Sequence, residues 1–97
     1  MDNMISFTSK SGFKYSIEQD ALDNLELFEH IKIANDPNES SITQLDAAIK
    51  AFVCVIGPEQ NEKLRAYLKE KDGKIRTSIY RREIGEVLNS LGEAKKK

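Results

Sequence analysis

Apolar and polar side chains alternate one by one near the start of the chain. Ile5-Ser6-Phe7-Thr8 has a period of two, and so does Phe13-Lys14-Tyr15-Ser16-Ile17. Two such runs joined by Ser9-Lys10-Ser11-Gly12 predict a β-hairpin, with Gly12 able to take the positive φ of a tight turn. Phe7, Phe13, Tyr15 and Ile17 give this ribbon one sticky face. A two-stranded ribbon is marginal alone, so that face must pack on helices or on another copy.

The period then lengthens. Leu22, Leu25, Phe28 and Ile31 make a helical stripe, widened by Leu27 and Ala34. Ser16 with Gln19 fits a capping box for this helix, and Asp20 is a competing N-cap. Asn35-Asp36-Pro37-Asn38 ends it, because the residue before proline resists the α conformation. A second capping box, Ser41 with Gln44, opens a helix carrying Ile42, Leu45, Ile49, Phe52, Val53 and Ile56. Ala47, Ala48, Ala51 and Val55 make its other faces small or apolar, which places it at the centre of a bundle. Gly57-Pro58 breaks it, with glycine suited to the outgoing end and proline to the next first turn. Leu64, Tyr67 and Leu68 form the narrow apolar edge of a third, polar helix, closed by Asp72-Gly73 in a left-handed cap. Thr77 or Ser78 caps a fourth helix bearing Ile79, Tyr80, Ile84, Val87, Leu88 and Leu91, and Gly92 ends it. The expected fold is mainly α and small: an N-terminal β-hairpin followed by about four short helices, an α+β arrangement. It forms one domain over residues 1–92, with 93–97 as a flexible basic tail.

Composition narrows the functions. With 97 residues and 39% apolar content, the chain can bury one modest core, which argues against a deep cleft between domains. A single cysteine and a single histidine rule out an internal disulfide and leave a poor set of zinc ligands. The longest apolar run, residues 51–56, is too short for a membrane span, and no charged-then-apolar leader opens the chain. A cytoplasmic protein is expected. Fifteen basic and sixteen acidic side chains nearly cancel, yet the first half of the chain is acidic and the second basic. Such halves can fold against each other or meet an oppositely charged partner.

Catalytic chemistry has little to stand on. His30 would need an orienting partner and a nucleophile, but no G-x-S-x-G run positions one. Cys54, amid Phe52-Val53-Cys54-Val55-Ile56, reads as a small core residue with a raised thiol pKa. Asp20/Asp23 and Glu26/Glu29 put carboxylates on one helical face without a calcium loop, so they read as a solvated or partner-facing surface. No phosphate-cradling glycine motif is present. The chain is expected not to be an enzyme and to need no metal or cofactor. Helix 42–56, the Gly-Pro turn and helix 58–71 give an alternative, a small DNA-binding regulator of helix-turn-helix type. Gln60, Asn61, Lys63 and Arg65 would read the DNA. Glu59, Glu62, Glu70 and Asp72 beside them would repel phosphates. Another alternative is an unassigned protein-interaction module.

Tyr15-Ser16-Ile17 followed by Ala21-Leu22-Asp23-Asn24-Leu25-Glu26-Leu27-Phe28-Glu29 resembles the opening of the tail assembly chaperones of long-tailed, siphovirus-type bacteriophages. Val55-Ile56-Gly57-Pro58-Glu59-Gln60, with Leu64 and Tyr67-Leu68, resembles that family's glycine turn and G-x-E-Q helix. Lys71-Asp72-Gly73-Lys74-Ile75, then Glu83-Ile84 and Val87-Leu88, is similar to its D-G break and closing helix. The likeness spans residues 13–91. It implies a chaperone that coats the helical tape measure protein, keeps it soluble, helps tail tube subunits assemble around it and is absent from the finished virion. It further implies a mainly helical fold, homo-oligomers and a longer form made by ribosomal frameshifting, for which codons of Lys95-Lys96-Lys97 are a candidate slippery run. No nucleic-acid or membrane partner is expected. Binding of an amphipathic helix needs apolar walls and a charged rim rather than catalytic residues. By chemistry, the candidate binding face is Phe7, Phe13 and Tyr15 on the hairpin with Phe28 on the acidic helix.

Overall fold

In a computed structural model, which describes residues 4–95, strand β1 (Met4–Thr8) pairs antiparallel with β2 (Lys14–Glu18). The register sets Ser6 opposite Ser16 and Phe7 opposite Tyr15. Gly12, at φ 95°, makes the reversal, and its N–H reaches Ser9 O at 2.9 Å. Four helices follow: α1 (Leu25–Ala34), α2 (Ser41–Ile56), α3 (Pro58–Asp72) and α4 (Thr77–Lys95). The architecture is the small, mainly helical α+β fold that the periodicities predict.

Helix α2 is the hub and touches α1, α3, α4 and β2. Phe52 is fully buried at its centre. Its ring meets Tyr15 and Tyr80 edge-on, with centroids 6.2 and 5.6 Å away, the arrangement that aromatic quadrupoles favour. Gly57 at φ 85° lets the chain turn by 116° into Pro58, the first residue of α3. Gly73 closes α3 in the left-handed conformation, its N–H on Lys69 O at 2.7 Å. Both stops match the sequence reading.

Four helix boundaries differ from it. Neither Ser16 nor Asp20 caps α1, because β2 continues to Glu18 opposite Met4. The chain then turns through residues 18–23, and Asn24 becomes the cap. Its Oδ1 accepts from the N–H groups of Glu26 and Leu27 at 3.0 and 3.4 Å. Ser40, not Ser41, caps α2 by accepting from Thr43 N–H at 3.1 Å. The Gln44 amide instead donates to Asp36 O at 2.6 Å and ties down the α1–α2 loop. At α4, Thr77 is already helical and Tyr80 N–H bonds Arg76 O, so neither Thr77 nor Ser78 is the cap. Gly92 does not end α4, which runs on to Lys95. The flexible tail expected at 93–97 is therefore helical backbone as far as Lys95, and Lys96 and Lys97 lie outside the described residues.

The buried face of α1 also moves. Leu27 is completely buried and Ile31 half-buried, while Leu25 and Phe28, expected in the stripe, turn outward.

Candidate functional site

Two regions of the surface stand apart from the rest. The first is the hairpin tip, which a buried carboxylate fastens to the helices. Glu83 of α4 is fully buried. It accepts from Tyr15 Oη–H at 2.6 Å and from Ser11 Oγ–H at 2.8 Å. Because the Ser11 hydroxyl hydrogen is committed to Glu83, Ser9 donates in the 2.9 Å Ser9–Ser11 contact. Ser11 O accepts from Tyr67 Oη at 2.7 Å and from Lys71 Nζ at 2.9 Å, and Lys10 N–H donates to Glu86 Oε1 at 2.9 Å. Burial, reinforced by the Glu83 carboxylate, pushes the Tyr15 phenol far above its ordinary pKa. No sequence motif flags Glu83. Its one signal is position, since it shares the buried face of α4 with Tyr80, Ile84 and Val87.

Three of the four expected binding residues belong to this closed region. Tyr15 is 2% exposed and is a core residue, not a contact surface. Its large ring is the inward anchor of β2. Phe7 stacks on Tyr15 with centroids 6.1 Å apart, and Phe13 lies between Tyr15 and Tyr67 at 4.8 and 5.5 Å. Both are half-buried. The structure does not bring Phe28 into this aromatic group.

The second region is the outer side of the α1–α2 pair. Phe28 is 59% exposed there, Leu25 one turn before it is 75% exposed, and Ile42 in the first turn of α2 is 83% exposed. Ile33 near the end of α1 is also exposed. Glu26, Glu29 and Lys32 of α1 are exposed as well. Side chains three and four apart on a helix are neighbours, so Leu25 and Phe28 form one apolar ridge between charged residues. Leu25 and Ile42 were missed as surface residues because periodicity shows that a helix has an apolar side without showing which angle faces inward.

Other candidates are partly occupied by the fold itself. The α2–α3 turn has the bend of a helix-turn-helix, but two of its four would-be base readers, Gln60 and Asn61, are engaged internally, while Lys63 and Arg65 are exposed. The Gln60 amide bonds Ser16 N–H at 2.8 Å, Ser16 O at 3.1 Å and Ile56 O at 2.9 Å. Asn61 Oδ1 accepts from the Tyr80 hydroxyl. A basic hollow of about 330 Å³ lies between the hairpin loop, the end of α3 and the start of α4. Within it Arg76 pairs with Asp72, Arg82 with Glu86 at 3.5 Å, and Lys71 with Ser11 O. Cys54 is half-buried, and burial, with the Glu26 carboxylate adding, raises its thiol pKa as the sequence predicts. His30 is half-buried on α1. Among the described residues, no three His, Cys, Asp or Glu side chains converge to hold a metal ion. No single helix among them is long and apolar enough to cross a membrane.

Compared with models of protein families, with curated proteins and with solved structures, the chain matches none.

Proposed function

We propose that this chain is a tail assembly chaperone of a long-tailed bacteriophage, acting in the host cytoplasm. It binds the helical tape measure protein, keeps it soluble and releases it as tail tube subunits assemble, without entering the finished virion. The observation that carries this reading is the outward-facing ridge of Leu25 and Phe28, with Ile42 exposed on the adjoining helix. A domain this small uses most of its apolar side chains to close its own core. Large ones left in solvent beside charged neighbours are the chemistry of a helix-binding surface. Many such weak contacts along one long polymer give strong coating through avidity, and each contact can still be displaced singly. The resemblance of residues 13–91 to that family supports the same reading, as does the acidic rim of α1. A longer frameshifted form arising at the lysine codons 95–97 belongs to this proposal.

Co-expression tests it. A tape measure fragment that aggregates alone is expected to stay soluble with the wild-type chain, and to aggregate again with Leu25→Ser and Phe28→Ser combined. Equal precipitation with and without the wild-type chain overturns the proposal.

A further inference from the structure

The two edges of the hairpin are treated differently. Gln60 takes both the N–H and the C=O of Ser16 on the outer edge of β2. A strand approaching that edge would find its central pair of backbone groups already satisfied. The same bonds show that the Ser16 backbone points away from β1. In an antiparallel ladder, residues directly opposite share their bonding state, so Ser6, opposite Ser16, points its N–H and C=O away from β2. Met4 and Thr8 follow by the period of two. Among the described residues, none of these groups has a hydrogen-bond partner.

Exposed edge strands are usually protected by charge, proline, a bulge or a covering element. Among the described residues, strand β1 has none of these. Its sequence, Met4-Ile5-Ser6-Phe7-Thr8, carries no charge and no proline, its pairing with β2 is regular through all five residues, and β2 is the element it contacts most. Ile5 and Phe7 are half-buried at the rim of the core, so apolar surface continues up to the open edge.

We infer that β1 pairs antiparallel with β1 of a second copy, across a twofold axis at Ser6, to make a continuous four-stranded sheet. The occupant follows from the strand's own pattern. Centred on Ser6, the pairing sets Met4 against Thr8 and Ile5 against Phe7 of the other copy. The outward N–H and C=O groups of Ser6 bond their own counterparts. Ile5 and Phe7 fall at the close, non-hydrogen-bonded positions, where β-branched and aromatic side chains pack best. Their shared face is the core face, so the two cores join across the axis. The isologous geometry closes at two copies. The inference rests on the hairpin alone and stands or falls independently of the chaperone reading.

Sedimentation equilibrium of the purified chain is expected to give twice the 11.0 kDa monomer mass. Ser6→Lys sets two ammonium groups face to face at the axis and touches no bond within the subunit. It is expected to raise the dimer dissociation constant about tenfold or more, with the circular dichroism spectrum unchanged. Register is read by oxidative cross-linking in a Cys54→Ser background. Ser6→Cys places two thiols across the axis within disulfide reach and cross-links, whereas Thr8→Cys, opposite Met4, does not. A monomeric wild type, a dimer indifferent to Ser6→Lys, or equal cross-linking at both positions overturns the inference.

Discussion

The tip of the hairpin and the outer side of α1 lie in the same acidic half of the chain and are held in opposite ways. Four hydrogen bonds to residues 9–12 come from side chains of α3 and α4. Helix α1 is held by Leu27 and Ile31 against α2 and by its own caps. Directional bonds fix the tip in one place and use up its polar groups. Apolar packing fixes α1 by one stripe and leaves the other side of the helix free to carry Leu25 and Phe28. The contrast teaches that the polar residues of this chain do much of the structural work, while some of its most apolar residues are available to partners.

The strongest blow to that contrast falls on Glu83. Glu83→Ala leaves the buried Tyr15 hydroxyl and the half-buried Ser11 hydroxyl without their acceptor and is expected to cost about 2–4 kcal/mol, read as a fall in the urea midpoint. Glu83→Gln, which keeps one acceptor oxygen, is expected to cost less. Equal stability of Glu83→Ala and wild type would mean the tip is not held by this carboxylate.

A smaller effect appears in alkali. Burial raises the phenol pKa values of Tyr15 and Tyr80 above the ordinary 10.0. A raised folded pKa means that the unfolded chain ionises first. Stability from these groups is therefore complete below about pH 10 and is lost as pH rises beyond it. Tyr15 steepens that loss by up to about 1.4 kcal/mol per pH unit, and Tyr80 acts in the same direction. Tyr15→Phe is expected to flatten the alkaline limb of urea midpoints against pH by one tyrosine's share. An unchanged slope would show that the phenol ionises as readily in the folded chain.

The smallest effect is expected at the open region. Phe28→Ser with Leu25→Ser removes exposed side chains and is expected to change stability by no more than about 0.5 kcal/mol. A large loss would place these residues in the core and erase the contrast.

How far the sequence could be read follows the range of the physics. Gly57-Pro58 and Asp72-Gly73 announce their turns because backbone sterics act within a few residues. The hairpin and the central place of α2 follow from periods over short windows. The start of α1 was hidden, because Ser16 is claimed by the β-pairing and by Gln60, which lies 44 residues away. Asn24, an equally good capping residue, is left to start the helix later. The site was only partly legible. Phe28 is exposed although periodicity put it in the apolar stripe of α1, and Tyr15 is inside, because its hydroxyl has a partner 68 positions distant that no local pattern reveals. Glu83 could have been noticed as a charge within an apolar helical stripe.

The 72-residue separation between Ser11 and Glu83 also governs events at the ribosome. The hairpin emerges before α4, and at ordinary elongation rates the interval between them is about 4–14 s. For those seconds the nascent chain has a ribbon whose clasp has not yet been translated. Any companion meeting it on a polysome encounters the uncharged strand before the final helix can fasten the loop beside it.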